Sequence, residues 1–167
     1  MSLSKSARIR ERLPHPVIDS DGHTRDFDHL FEQYIAQVGG AQVLEQYKRG
    51  HSYTFIVPGW YKATAEERQD HRIVRPAWWG IPSGRALDLA TAKLPKLLYE
   101  RLPEAGLDVS VIFAGEAINL GMINDQEIRA AVCRASNQMH MDMFRKYGDR
   151  IIPVAVVPAH SPAEAIA

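Results

Sequence analysis

The sequence has little cysteine, no excess of charge and no long apolar run, and each absence excludes a class of protein. Cys133 is the one cysteine among 167 residues, so an internal disulfide is excluded and a reducing, cytoplasmic compartment is predicted. Twenty basic and twenty acidic residues cancel, which gives no electrostatic reason to expect nucleic acid or an anionic membrane as a partner. No window approaches the roughly 20 apolar residues of a membrane span.

What remains has the composition of an ordinary globular domain. Hydrophobic residues make up 46% of the chain and charged residues 24%, and the length allows one sizeable core. Residues 1–14 are basic but no apolar segment follows them, so a secretory signal is not expected. We predict a flexible amino-terminal arm over 1–14 and a single domain over 15–167.

Three potential metal ligands follow a short apolar segment near the amino terminus. Asp19, Asp21 and His23 occupy alternate positions, and side chains in an extended strand alternate between its two faces. The spacing therefore predicts that all three point the same way. Since unpaired charges are costly in a packed core, this arrangement favours a divalent metal site at the carboxyl end of a first strand. An Asp/Gly turn with a solvated histidine is the simpler interpretation of the same residues.

The rest of the chain alternates between helical and strand patterns, which is typical of an α/β fold. Proline at position 95 predicts a kink, or two helices in tandem. The order of elements is β-α-β-α-β, for which a parallel sheet with right-handed crossovers is expected. Helices are predicted over residues 28–38, 43–49 and 86–105, and a fourth begins at Asp125 and ends at Gly148. The first strand is predicted to begin at residues 17–18, and the other two to span 107–113 and 151–157.

Residues of about 50–84 lack periodicity and form a long irregular insertion that is rich in aromatic residues. Segments of this kind usually carry function or an interaction surface. We predict that Trp78 and Trp79 contact substrate or another subunit; the alternative is that they anchor the insertion to the body. His160 follows the third strand and is a further candidate substrate contact. His140 is interpreted as a packed or surface histidine, and Cys133 as a small buried residue.

Several segments of the sequence resemble the amidohydrolase-related family of the amidohydrolase superfamily, which includes aminocarboxymuconate-semialdehyde decarboxylase-like metal-dependent hydrolases. Asp21-Gly22-His23 is similar to the acid or histidine, spacer and histidine that close the family's first barrel strand. The similarity continues through residues 76–82, 88–92, 97–102, 106–109, 131–137 and 149–158. It implies a partial (β/α)8 TIM barrel, comprising about the first three to four βα units with the long insertion after the first, whereas a typical barrel needs roughly 250 residues.

The same resemblance implies a function. The family comprises metal-dependent hydrolases and non-oxidative decarboxylases that act on small organic substrates at the carboxyl ends of the barrel strands. Asp21 and His23 would bind a divalent metal, most readily zinc, with manganese or magnesium as alternatives, and Asp19 would orient His23. The remaining ligands are expected beyond Ala167, and the partners are expected to be a small-molecule substrate and further copies of the chain.

Two alternatives from other classes stay open. Asp19-Ser20-Asp21-Gly22 also resembles the Asp-x-Asp-Gly-Thr motif of haloacid-dehalogenase-like phosphatases, which would make Asp19 the nucleophile of a magnesium-dependent phosphatase. The second alternative is a catalytically inactive barrel fragment that acts as an oligomeric interaction module, with another chain covering its strand edges.

Overall fold

A computed structural model of the chain describes residues 3–50, 64–70, 86–115, 120–160 and 162–166. It has a mixed α/β fold, as the sequence predicts. Most of the predicted insertion, including Trp78 and Trp79, lies outside the described residues. The strands are β1 Ile18–Thr24, β2 Val109–Ala114 and β3 Ile151–Pro153. The helices are α1 Lys5–Arg10, α2 Asp28–Gly50, α3 Ala65–Asp70, α4 Ala86–Lys93, α5 Pro95–Ala105, α6 Gln126–Phe144 and α7 Pro162–Ile166, and a 3-10 helix over Arg145–Tyr147 follows α6.

The three strands form a parallel sheet in the order β1-β2-β3, so each crossover leads to the adjacent strand. Crossovers of the same hand place their helices on the same side of such a sheet. Accordingly, Leu102 of α5 and Phe144 of α6 pack together with Ile112 and Ile151 of the sheet. We call this side the helix face and the opposite side the second face.

The second face of the sheet is apolar and partly exposed in the part of the chain that the structure describes. Along β2, side chains on the helix face are buried and those between them are half-buried. Ile18 pairs with Val109, and Ile152 pairs with Val111. Ile18 is 57% exposed and Ile152 is 47% exposed. Strands of parallel sheets are normally buried on both faces, so this surface is suited to further packing.

A helix pair, α2 and α6, forms the larger core. Phe31, Ile35, Val43, Val132 and Met139 are among its buried residues. The predicted break at Gly39-Gly40 is confirmed, because Gly40 has a φ of 82° and a ψ of 173° inside α2. A Cβ at Gly39 would lie 3.0 Å from the Cβ of Ala131, so the two helices cross closely there. Burial raises the pKa of the Cys133 thiol to about 11, and the prediction of a buried cysteine is confirmed.

Two more predictions from local sequence are confirmed. Pro95 lies in the first turn of α5 and separates it from α4, so the stretch forms two helices in tandem. The side chain of Asp125 caps α6 by accepting a hydrogen bond from the Ile128 N–H at 2.9 Å.

The third strand is shorter than the predicted range of 151–157, because it ends at Pro153. Three residues further on, a side chain of α6 bonds the backbone of the predicted strand. The Asn137 amide accepts from the Val156 N–H at 2.7 Å and donates to the Val156 carbonyl at 3.0 Å. The backbone at this point is therefore bonded to α6 and not to another strand.

The amino-terminal segment contains a docked helix where the sequence predicts a flexible arm. Ser4 caps α1 and its hydroxyl also donates to the Glu104 carbonyl of α5. Arg10 forms an ion pair with Asp108, which also accepts from the Val17 N–H at 2.7 Å. Sequence reasoning missed this helix because polar contacts to distant residues hold it, with only Ala7 of the helix buried.

We expect the Asp108 carboxylate to stabilise the fold most at neutral pH. The Arg10 guanidinium, helped by the Val17 N–H, lowers the pKa of Asp108. A carboxylate with a lowered folded pKa stabilises the protein above its unfolded pKa of about 4, and this contribution is lost as the pH falls. Asp108→Asn should therefore lower the free energy of unfolding at neutral pH, with a deficit that shrinks below roughly pH 4.

Urea unfolding of the wild type and the variant between about pH 3 and pH 7 measures this effect. Glu45→Gln, an exposed change on α2, is the control and should leave the curve unchanged. A deficit that is constant across this pH range would contradict the expectation.

Candidate functional site

An irregularity in β1 separates Asp19 from the other two predicted ligands. The register pairs Asp19 with Ser110 and then Gly22 with Ile112, so two residues of β1 lie opposite one residue of β2. Such a bulge breaks the strict alternation of side chains. Asp19 consequently shares the helix face with Ser110, whereas His23 pairs with Phe113 on the second face. The prediction that Asp19, Asp21 and His23 point the same way is wrong for Asp19.

Asp19 braces this bulge. Its Oδ2 accepts a hydrogen bond from the Ser110 hydroxyl at 3.1 Å, and its Oδ1 accepts from the Asp21 N–H at 3.1 Å. Ser110 is 2% exposed, so the anchor is buried. Asp19 thus acts on the backbone of Asp21, and it helps to set the direction in which that side chain leaves the strand.

Asp21 and His23 meet at the carboxyl end of β1. Asp21 Oδ1 lies 3.5 Å from His23 Nε2, and the Asp21 side chain is 85% exposed. The His23 side chain is 30% exposed, and its ring centroid lies 5.9 Å from that of Phe113. A solvent-accessible carboxylate beside an imidazole is a pair of ligands that zinc accepts.

Asp21 and His23 are donors of the kind that zinc binds, but two donors are fewer than zinc normally takes. Zinc normally takes at least three protein ligands. Among the described residues, no group of three or more histidine, cysteine, aspartate or glutamate side chains is close enough to hold a metal. A complete site would need at least one more donor in addition to Asp21 and His23.

The other predicted contacts are not brought to this pair by the part of the chain that is described. His160 is exposed in a turn beyond β3. Trp78 and Trp79 lie outside the described residues, so their predicted roles stay predictions.

Sequence reasoning missed a buried contact between an aspartate and a histidine just beyond the end of β1. His140 Nε2 lies 2.7 Å from Asp26 Oδ1, and each side chain is only 4% exposed. Of the two predicted positions for His140, packed or at the surface, the structure shows the packed one, but its partner was not foreseen. The two residues are 114 positions apart, and no local spacing could have linked them.

A cavity of about 330 Å³ lies on the helix face, against Asp19 and between the sheet and helices α4 and α5. Its volume is within the range of roughly 300–1,000 Å³ that is usual for small-molecule sites. The guanidinium in its wall, Arg101, is already bound by Asp88 and Glu104. Although His23 borders the cavity, its ring packs on Phe113 on the second face, so we do not assign the cavity to the same site.

No protein-family model matches the chain, and no curated protein matches it. The resemblance to the amidohydrolase-related family therefore depends on the residues and segments quoted above.

None of the helices described here is both long enough and apolar enough to cross a membrane.

We expect Gly22→Ala to destabilise the end of β1. A Cβ at this position would lie 2.6 Å from Ser110 Oγ and 2.9 Å from Asp19 Oδ2. Overpacking of a well-packed position costs about 1–3 kcal/mol, and urea denaturation should show a loss of that size in the free energy of unfolding. Adding Ser110→Ala removes the closest atom and should recover part of the loss. Strict additivity of the two changes in a double-mutant cycle would contradict this explanation.

Proposed function

We propose that the chain corresponds to the amino-terminal part of a metal-dependent hydrolase or non-oxidative decarboxylase of the amidohydrolase-related family. Its site would lie at the carboxyl ends of the strands of a (β/α)8 barrel. The observation that supports this most is the approach of Asp21 and His23, 3.5 Å apart, at the carboxyl end of β1. Active sites of such barrels lie at that end of the strands.

The arrangement of the strands supports a barrel over the other common parallel architecture. In a doubly wound sheet the helices cover both faces and the strand order reverses at a switch point. Here the three strands follow in chain order, and the helices α5 and α6 pack on the same face. The apolar second face, with Ile18 and Ile152, would then become the barrel interior, which layers of branched side chains fill.

The residues of this chain would contribute binding and orientation. A bound zinc ion supplies a Lewis acid and lowers the pKa of its water toward neutrality. Asp21 would offer a carboxylate oxygen and His23 a neutral imidazole nitrogen, while Phe113 restricts the rotation of the imidazole ring. Asp19 would hold the bulge that directs Asp21. Manganese or magnesium are alternative ions, and the substrate would be a small amide, lactone or carboxylated compound.

The geometry gives less support to the magnesium phosphatase. In that mechanism Asp19 and Asp21 act together on one phosphoryl group. Asp19 instead accepts the Ser110 hydroxyl on the helix face, whereas the Asp21 carboxylate lies beside His23. We therefore prefer the hydrolase or decarboxylase.

A non-enzymatic candidate is supported by a different observation, the exposed apolar surface around Ile18 and Ile152. As an oligomeric interaction module, the chain would cover this surface and the edges of the sheet with another copy. Sedimentation of the purified chain distinguishes the two candidates when it is combined with metal analysis, because the module needs self-association and no metal.

The proposal predicts that the purified chain binds zinc through Asp21 and His23, more weakly than a site with its third protein ligand would. Asp21→Ala and His23→Ala should each weaken zinc binding at least as much as the roughly 10–100-fold that loss of a supporting residue costs. Elemental analysis and calorimetric titration of the purified chain measure the stoichiometry and the affinity. His15→Ala, an exposed histidine before β1, is the matched control and should bind zinc like the wild type.

Zinc binding that survives both substitutions would contradict the assignment of the ligands. A metal-free wild type with a defined oligomeric state would favour the interaction module. If zinc binds, hydrolysis of amides and lactones and decarboxylation of aromatic acids are the activities to assay, with the same variants as controls.

A further inference from the structure

We propose that Asp26 and His140 are positioning residues, which hold the end of β1 so that Asp21 and His23 stay in place to bind the metal. The role toward the metal rests on the proposed function. The restraint on the strand end rests on the contacts alone, and it can be tested without metal.

The pair is buried, and its two side chains lie within hydrogen-bonding distance. Asp26 Oδ1 and His140 Nε2 are 2.7 Å apart, and both side chains are 96% buried, since each is 4% exposed. With Asp26 ionised, its carboxylate accepts and the imidazole Nε2 of His140 donates. A buried carboxylate is costly unless it is bonded, so either residue without the other is strongly disfavoured at this position. The pair therefore acts as a specific link between the β1 end and α6.

His140 is a fixed support for this link. It lies near the end of α6, one turn before Phe144, and the two ring centroids are 6.1 Å apart. Phe144 in turn packs against Ile112 of β2 and Ile151 of β3. A displacement of His140 would require movement of a helix that is packed on two strands.

The backbone beside Asp26 is held from a second direction by α4. The Arg25 N–H donates to the Ala92 carbonyl at 2.8 Å, and Lys93 Nζ donates to the Asp26 carbonyl at 3.1 Å. Residues 25–26 are thus hydrogen-bonded to both α4 and α6.

The restraint reaches the candidate ligands through a short length of backbone. Asp26 follows His23 by three residues, which is about 10 Å of extended chain. Between them, Thr24 is buried and its hydroxyl donates to the Phe113 carbonyl at 3.4 Å. The ring of Phe113 packs on that of His23. Metal ligands must be held within about 0.5 Å of their productive positions, so a loosened strand end would weaken binding.

The chain offers a matched control on the same helix. Arg129 and Glu164 form an ion pair at 2.8 Å with side chains that are 5% and 8% exposed, and it joins α6 to α7. Arg129 is eleven residues before His140, which is about 16 Å along the helix axis. Breaking this pair also removes a buried polar link of α6, but not one that reaches β1.

The test compares Asp26→Ala, Asp26→Asn, His140→Ala and Glu164→Ala in the full chain. Amide hydrogen exchange at residues 23–25 reports the strand end without metal, and residues 110–112 report the sheet. We expect Asp26→Ala and His140→Ala to speed exchange at 23–25 by about 10-fold or more relative to 110–112, and to weaken zinc binding by about 10–100-fold. Asp26→Asn keeps an acceptor oxygen and should restore most of both. Glu164→Ala, which removes the acceptor from the other pair on α6, should leave both measurements near those of the wild type.

Exchange that rises equally at residues 23–25 and 110–112 in Asp26→Ala would show a merely global role and overturn the proposal. Unchanged zinc affinity despite a local rise in exchange would overturn the role toward the metal, because zinc would then bind equally well to a loosened strand end. If the wild type binds no zinc, the proposed function fails by itself. In that case a local rise still supports the restraint of the strand end, and a uniform rise overturns it.

Discussion

Parallel pairing of β2 with both β1 and β3 is the constraint on which the rest of the structure depends. Because the three strands run in the same direction, every connection must cross from one end of the sheet to the other, and the crossing segments here end in α5 and α6. Both helices then pack on one face around Ile112 of the central strand. The parallel direction brings the carboxyl ends of the strands together at one end of the sheet. Because the helices cover one face, the other face is left as an apolar surface.

The candidate site arises from a local departure from this regular pairing. With strict alternation, Asp19 would share a direction with Asp21 and His23. The bulge instead makes Asp19 a brace that bonds Ser110 and the backbone of Asp21. Asp19 thereby supports the strand on the helix face, while Asp21 and His23 are exposed at its carboxyl end. Bulges occur often beside active sites, where they redirect a side chain.

The elements of the fold could be predicted from the sequence because their signals are local. Gly39-Gly40 breaks α2, Pro95 separates α4 from α5, and Asp125 begins α6. The predicted meeting of Asp21 and His23 at a strand end also needed only their spacing along one strand.

The features that were missed all depend on polar contacts between distant residues. The docking of α1 needs Arg10 and Asp108, which are 98 residues apart. The backbone of Val156, in the predicted third strand, is bonded by Asn137, 19 residues away, and the direction of Asp19 depends on Ser110, 91 residues away. A single sequence shows which residues are polar but not which of them contact each other in the fold.

The buried position of Cys133 allows local opening of the protein to be measured by thiol labelling. Its thiol is 1% exposed within the core that α2 and α6 share, and its raised pKa keeps it protonated at neutral pH. A thiol reagent can reach it only when the residues around it open, so its labelling rate reports how often they do. Because the sequence has no second cysteine, the signal comes from one place. The rate at which this core opens can thus be measured in the unmodified protein, separately from motion at the strand ends.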